Sequence, residues 1–517
     1  MDSMGSVLQD LLFGFQVALT PFNLSIAAIG VVLGTIIGAV PGLGPSNGVA
    51  ILLPVTFLVP ANAAIIFVAG IYYGACYGGA ISSILLGIPG DSIAVATTFD
   101  GRPLALKGRG AQALITAAAS SFVGGTVGIV LITTLALPLA NFALKFGPPE
   151  NFAIMMLAFA TFVGLGGRDP FKSLVSVCLG LIASAIGIDI IGGMPRLIYG
   201  GYAGFYHGIS FLVVTIGVYG IGEILATVEE NIHFEITKTR IRWHHYVETF
   251  KEIVRYWNTF IRSALFGYFI GLVPAAGATP AAFMSYGLTK RFGRDRDKLG
   301  EGCLEGVVAP ETANNAASTG AFLPMLTMGI PGSPTTAVIL GALIVWGLRP
   351  GPLLFIEHRD FAWGLIASLY TSNIVAVLLN TLAIPVFVAI LRIPFTVMAP
   401  LVVALSVSGG FAADQAYIDI WWVLIFGLAG YMFKKLHYPI APLILALVLG
   451  DMTETALRQS LVMSQGSLAI FFTRPISLAF MIIAILLFLT PVFQALLKRA
   501  RTQRRMAEEV PQTTVDV

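Results

Sequence analysis

The sequence predicts an all-α polytopic membrane protein of about 10–14 helical crossings, with broken helices or re-entrant hairpins and two inverted-topology repeats. Three observations predict it. Only 11% of the 517 residues are Asp, Glu, Lys or Arg, against about a quarter in a soluble protein. The apolar set AVILMFWYC makes up 56% and gathers into long runs, unbroken at 479–489 and interrupted at 181–191 only by Ser184, Gly187 and Asp189, where a membrane β-barrel alternates over segments of roughly ten residues. The 56 glycines and 28 prolines cluster inside those runs, and a helix broken within lipid must satisfy its freed backbone groups in protein or a watery cavity. So few charges cannot cover a soluble exterior, which excludes a soluble enzyme, a nucleic-acid-binding protein and a disordered chain. A net charge of +3 adds no bulk attraction to nucleic acid.

In chain order, apolar segments fall at 8–20, 22–40, 46–59, 61–86, 110–140, 149–166, 170–191, 207–227, 260–273, 276–289, 312–330, 334–348, 361–391, 395–408, 416–433, 440–450 and 476–497. Those near 20 residues cross a core of about 30 Å. Segments 46–59, 276–289 and 334–348 are short enough for half-helices, and 110–140 suits one tilted span or two pieces. The N-terminus carries Asp2 and Asp10 and no basic residue before the first apolar stretch. A cleaved leader needs a positive start, so that stretch is expected to be retained. Cys76, Cys178 and Cys303 stand alone, without disulfide or zinc spacing.

Four regions follow: a first half over 1–228, a connector over 229–262, a second half over 263–497 and a basic, polar tail over 498–517. The connector sets Lys238, Arg240, Arg242, Lys251, Arg255 and Arg262 among Glu229, Glu230, Glu235, Glu248 and Glu252. Trp243, Tyr246, Phe250, Ile253 and Trp257 recur there at helical spacing, which predicts an amphipathic interfacial helix. The tail opens with five basic residues over Lys498–Arg505, which predicts a cytoplasmic C-terminus.

A repeat ties the halves together. Gly34-x-x-Ile37-Gly38-x-Val40-Pro41-x-x-Gly44-x-Ser46 matches Gly267-x-x-Ile270-Gly271-x-Val273-Pro274-x-x-Gly277-x-Thr279, at an offset of 233. Gly87-Ile88-Pro89-Gly90-Asp91-Ser92 is echoed by Gly329-Ile330-Pro331-Gly332-Ser333, at an offset of 242. Basic residues fall differently in the two copies. Arg102, Lys107 and Arg109 follow the second motif of the first half. Lys290, Arg291, Arg294, Arg296 and Lys298 fall between the motifs of the second. If basic loops are cytoplasmic, equivalent loops face opposite sides. Inverted repeats of that kind build secondary transporters, with the substrate near the midplane.

The four motifs, 41–47, 87–92, 274–280 and 329–336, each stop a helix at Gly/Pro and place Ser or Thr where the next begins. Helix starts present unpaired N–H groups and roughly half a positive charge. Two such pairs meeting at the midplane make an anion site. Carbonyls of 41–47, 87–92, 274–280 and 329–333 are candidate Na⁺ ligands. The competing reading is that the glycines only let helices pack closely. Asn47, Asn314 and Asn315 offer amides that both donate and accept. Asp91 and Glu311 are acids at membrane depth, suited to coupling a cation; each is equally explained as a helix-start acid. Arg168, Asp169, Arg196 and Arg392 read as loop or interface charges. No P-loop, metalloprotease spacing or nucleophile–base pair is present. An intramembrane enzyme is therefore disfavoured, and an ion or solute channel is the alternative to a carrier.

At Val40-Pro41-Gly42-Leu43-Gly44-Pro45, Tyr72-Tyr73-Gly74-Ala75-x-Tyr77-Gly78-Gly79, Asp100-Gly101-x-Pro103-Leu104-Ala105-x-Lys107-Gly108, Pro310-Glu311-x-Ala313-Asn314-Asn315-Ala316 and Gly329-Ile330-Pro331-Gly332-Ser333-Pro334-Thr335 the chain resembles the large membrane subunit of the tripartite tricarboxylate transporters. The resemblance spans roughly 10–490. It implies a bacterial inner-membrane symporter for carboxylates such as citrate, driven by a Na⁺ or H⁺ gradient, with no other cofactor. It implies two partners, a small membrane subunit and a periplasmic solute-binding protein, and no nucleic acid. Carried over by position, Ser46, Asn47, Gly90, Ser92, Asn314, Asn315, Gly332, Ser333 and Thr335 lie in or near the substrate site. Thr279 joins them as the repeat equivalent of Ser46.

Overall fold

A computed structural model of the chain describes residues 3–165, 169–189, 192–198, 206, 208–230, 242–274, 276–390, 395–414 and 416–490. Proline and glycine punctuate it. After α1 (Ser3–Ala18), Thr20 caps α2 (Pro21–Ala39) by accepting from the Asn23 N–H at 3.3 Å, with Pro21 in the first turn. Helix α2 ends at Val40-Pro41, and the chain turns into α3 (Pro45–Leu52) and a tight turn over Leu53–Leu58. Helix α4 (Ala61–Leu85) follows. The chain breaks again before Ser92–Ala94 and α5 (Val95–Leu104), and a wide turn at Ala105–Arg109 leads into α6 (Gly110–Ala143). Helices α7 (Pro148–Leu165) and α8 (Pro170–Ser184) precede a two-residue antiparallel pair, β1 (Gly187–Ile188) and β2 (Pro195–Arg196). Then come α9 (Phe211–Ile216), a wide turn over Gly217–Ile221 and α10 (Gly222–Glu230).

The remaining helices are α11 (Trp243–Ile253), α12 (Trp257–Leu272), α13 (Ala278–Phe292), α14 (Glu305–Gly320), α15 (Phe322–Met328) and α16 (Pro334–Val345). After them run α17 (Leu354–Glu357), α18 (Arg359–Leu382), α19 (Ile384–Ile390), α20 (Phe395–Asp414), α21 (Tyr417–Lys435), α22 (Ile440–Met463), α23 (Ile470–Thr473) and an apolar helix α24 (Pro475–Thr490). The chain is thus an all-α polytopic membrane protein. Among the described residues seven helices are long and apolar enough to cross a membrane, and six apolar helices of 10–17 residues accompany them. Segments 46–59, 276–289 and 334–348 form the short arms α3, α13 and α16, while 110–140 lies within one 34-residue helix, α6.

Close backbone contact holds each half. Gly30, Gly34 and Gly38 of α2 lie on the carbonyls of Phe67, Ile71 and Ala75 of α4, leaving no room for a Cβ. The constant separation of these pairs means that α2 and α4 run parallel. Gly267 and Gly271 of α12 lie in the same way on Ala313 and Ala317 of α14. The glycines of the repeat therefore serve close packing here, as small residues do between helices in lipid.

Two expectations are corrected. Glu311 is no helix-start acid, because α14 begins at Glu305 and carries Glu311 in its interior. In the connector, the outward stripe is Trp243, Val247, Phe250, Val254 and Trp257. Tyr246 instead turns inward to donate to the Thr381 carbonyl at 2.6 Å, and Ile253 is buried. Glu235, Lys238, Arg240, the Glu230 side chain, Arg168, Arg392, Ala275 and the tail over 498–517 lie outside the described residues.

The loop between α13 and α14 is gripped by buried acids. Asp100 of α5 is fully buried and accepts from the N–H groups of Gly300, Gly302 and Cys303 at 2.8–3.0 Å. The Tyr286 hydroxyl also donates to it at 2.8 Å. Glu305 likewise accepts from the Thr259 hydroxyl and from the N–H groups of Arg294 and Asp295. On the outer side the Tyr256 hydroxyl donates to Asp295 at 2.7 Å and holds that carboxyl below its ordinary range. Arg196, read as a loop charge, pairs with Asp189 and Glu454 and fastens β2 to α22. Asp169 caps α8 by accepting from the Phe171 N–H at 3.0 Å.

Candidate functional site

The four Gly/Pro motifs meet at one place. In the first half, the Gly42 N–H donates to the Gly90 carbonyl at 3.0 Å. In the second, the equivalent carbonyl, that of Gly332, accepts from the Gly277 N–H at 3.0 Å. Each half thus forms a pair of tips. The pairs cross-connect through hydroxyls, Ser46 with Thr335 at 3.0 Å and Ser92 with Thr279 at 2.9 Å. Ser46 and Thr279 are repeat equivalents, and Ser92 and Thr335 are equivalent to within one position. The two contacts are therefore exchanged copies of one another. Cys76 and Ser318, separated by the same 242 positions, touch at 3.4 Å.

Beside the tips lies a cavity of about 440 Å³. One wall is built from Gly42, Gly44, Ser46 and Asn47 at the start of α3, from Pro89, Gly90, Asp91 and Ser92, and from Pro334 of α16. Asp91 caps its own turn, accepting from the Ser92 N–H and hydroxyl. Gly44 leaves room for the Asp91 carboxylate, which a side chain at 44 would displace. The Asn47 amide N–H donates to the Gly42 carbonyl at 3.3 Å. The lining also carries Tyr219, Glu223, Lys434, Pro439, Ile440 and Ala441, and the Lys434 ammonium pairs with the Glu223 carboxylate. N–H groups at a helix start, hydroxyls and an ammonium suit an oxyanion; the two carboxylates suit a cation.

Other expected residues sit behind this wall. Ser333 caps α16, accepting from the Thr336 N–H at 3.2 Å, and its hydroxyl lies 3.1 Å from that of Tyr72. Gly332 packs on Gly271 and Ala321. The Asn314 amide donates to the Ile93 carbonyl at 3.3 Å and accepts from the Asn315 amide at 2.7 Å. Glu311 is fully buried and accepts from the hydroxyls of Thr97 and Ser121. Of the carbonyls considered for Na⁺, those of Gly42, Gly90 and Gly332 already accept from Asn47, Gly42 and Gly277. Among the described residues no three His, Cys, Asp or Glu side chains gather into a metal cluster. Ser333→Ala is expected to cost about 1–2 kcal/mol of stability, the worth of a lost N-cap. An unchanged unfolding midpoint in detergent would assign the cap no weight.

Residues 24–445 match the family described as "Tripartite tricarboxylate transporter TctA family", and the match includes all four tip motifs. The chain belongs to the TctA family. It is accordingly a tricarboxylate transporter component, a multi-pass membrane protein of a system with further subunits. A relative from Agrobacterium vitis, named "Uncharacterized 52.8 kDa protein in TAR-I ttuC' 3'region", is 36% identical over 97% of this chain and 98% of its own length. A second from the same organism, named "Uncharacterized protein in TAR-II ttuC' 3'region", is 34% identical over 46% of this chain and 97% of its own length. No solved structure matches.

For this TctA-family chain the structure adds Tyr219, Glu223 and Lys434, which the sequence motifs do not include. A signal for them exists. Glu223 is an ionisable residue inside the apolar segment 207–227, and such residues mark pathways or partners at membrane depth. Lys434 follows the segment 416–433 directly, and so passes as a flanking charge.

Proposed function

We propose that this TctA-family chain is the permease of a tripartite, cation-gradient-driven uptake system for di- and tricarboxylates such as citrate. A periplasmic solute-binding protein delivers the substrate, and a small membrane subunit accompanies the permease in the bacterial inner membrane. The halves form inverted repeats, and the C-terminal tail is cytoplasmic. The observation that carries this reading is the cavity of about 440 Å³ flanked by the tips of both repeats. Backbone N–H groups and hydroxyls at helix starts hold a carboxylate without a permanent positive charge. Ser46, Asn47, Gly90 and Ser92 provide that surface, with Thr279 and Thr335 behind through their hydroxyl contacts. Asn314, Asn315, Gly332 and Ser333 brace the tips from within.

Asp91 lines the cavity and is the favoured group for a coupling Na⁺ or H⁺. Glu311 lies behind it with both oxygens engaged by hydroxyls, which suits bracing or a proton better than a hydrated ion. The test is uptake by proteoliposomes that hold the permease and small subunit, supplied with the loaded binding protein. Radiolabelled citrate or succinate is expected to accumulate only under an inward Na⁺ or H⁺ gradient. Accumulation without either gradient overturns the coupling, and single-channel currents would favour a channel.

A further inference from the structure

We propose that Lys434 and Glu223 form a second carboxylate subsite, in which Glu223 occupies the lysine until a distal carboxylate of the substrate replaces it. This inference rests on the carboxylate reading above and deepens it. The rest of the cavity lining comes from different elements, α10 with its preceding turn, the end of α21 and the start of α22. A substrate with two or three carboxylates has anionic groups at both ends. The tips satisfy one end. Among the described residues lining the cavity, Lys434 is the cationic side chain that the other end meets.

Its placement supports this role. Lys434 stands in the last turn of α21, where the helix dipole favours a cation. Its partner, Glu223, lies in the first turn of α10. The backbones of α10 and α21 are in close contact, because Gly222 meets Gly427 and Gly430, each about 3.1 Å from where a Cβ would stand. The pair is thus carried on the α10–α21 seam, which meets the first-half tip at Gly42, where the Glu223 carboxylate lies 3.3 Å from where a Cβ would stand. Lys435, the next residue, pairs with Glu229 but does not line the cavity. Two adjacent lysines on one helix end therefore divide into a cavity residue and a surface residue.

Paired with Glu223, Lys434 does not leave a bare cation in a low-dielectric cavity. An incoming carboxylate must compete with Glu223, so a monocarboxylate, already engaged at the tips, gains nothing there. The pair would thus select for substrates with a second charge.

The experiment measures citrate and succinate uptake by the full chain with its partner proteins, over a range of substrate concentrations. Lys434→Met is expected to raise the apparent KM for both by about tenfold or more, as loss of a charged hydrogen bond does. Glu223→Gln is expected to lower it, because the lysine is then uncontested. The double variant Glu223→Gln/Lys434→Met restores neutrality, guards against misfolding and is expected to keep the raised KM. Lys435→Met is expected to behave as wild type. A Lys434→Met or double variant with the wild-type KM, alongside active wild type, overturns the subsite alone. Failure of the wild type to take up either acid overturns the carboxylate reading and this inference with it.

Discussion

Asp100→Ala is expected to remove about 3–5 kcal/mol of stability, the range for breaking a buried charged network by taking one partner away. The carboxylate is fully buried and holds the N–H groups of Gly300, Gly302 and Cys303 together with the Tyr286 hydroxyl. Alanine leaves four donors facing each other in a space without an acceptor, and each unmet buried donor costs about 1–3 kcal/mol before relaxation. Gly300 and Gly302 have φ of +96° and +102°. The loop therefore owes its shape to two glycines and one acid, and the acid lies in the other half of the chain. Asp100→Asn keeps one acceptor oxygen but turns an N–H₂ toward donors, so it is expected to fall between wild type and Asp100→Ala. Thermal unfolding of the purified protein in detergent checks the order. An Asp100→Ala midpoint equal to wild type would show that the loop finds other acceptors.

That contact also shows where sequence reading stops. Asp100 is visible within a motif, but its partners lie 200 positions away, and nothing local announces a turn of N–H groups waiting for it. Glu311 is misplaced by sequence for a related reason. Gly306 and Pro310 look like a helix start, yet α14 runs through both because it is packed along α6, α12 and α13. Tertiary burial overrides the local preference of a proline here. The membrane class and the short arms are legible, because composition and segment length set them directly. The repeat offsets are legible as well, and the hydroxyl pairs of the tips follow them. The split of the glycines is not. Gly34 and Gly38 seal α2 onto α4, while Gly42 and Gly44 line the cavity. One motif holds both kinds, and spacing alone cannot separate a glycine that admits a neighbouring helix from one that shapes a binding surface.

The tip glycines give the sharpest functional expectation. Gly90→Ala and Gly332→Ala are each expected to reduce uptake by about 10- to 100-fold, the equivalent of 1–3 kcal/mol of overpacking at about 1.4 kcal/mol per factor of ten. A Cβ at Gly90 would strike the Gly38 carbonyl, and one at Gly332 would strike the Gly271 carbonyl. Both obstacles are backbone atoms of a packed helix, so no rotamer change relieves them. Neither glycine has positive φ, so the cost is one of space rather than conformation. Gly287 is the control. Nothing lies within 4 Å of where its Cβ would stand, and its φ is not positive, so alanine there should be neutral or stabilise its helix by about 0.5–1 kcal/mol. The two tip variants strike equivalent carbonyls, so a two-fold arrangement requires comparable losses in both. Full uptake by one and none by the other would mean that the two pairs of tips, alike in sequence and contacts, carry unequal shares of the transport.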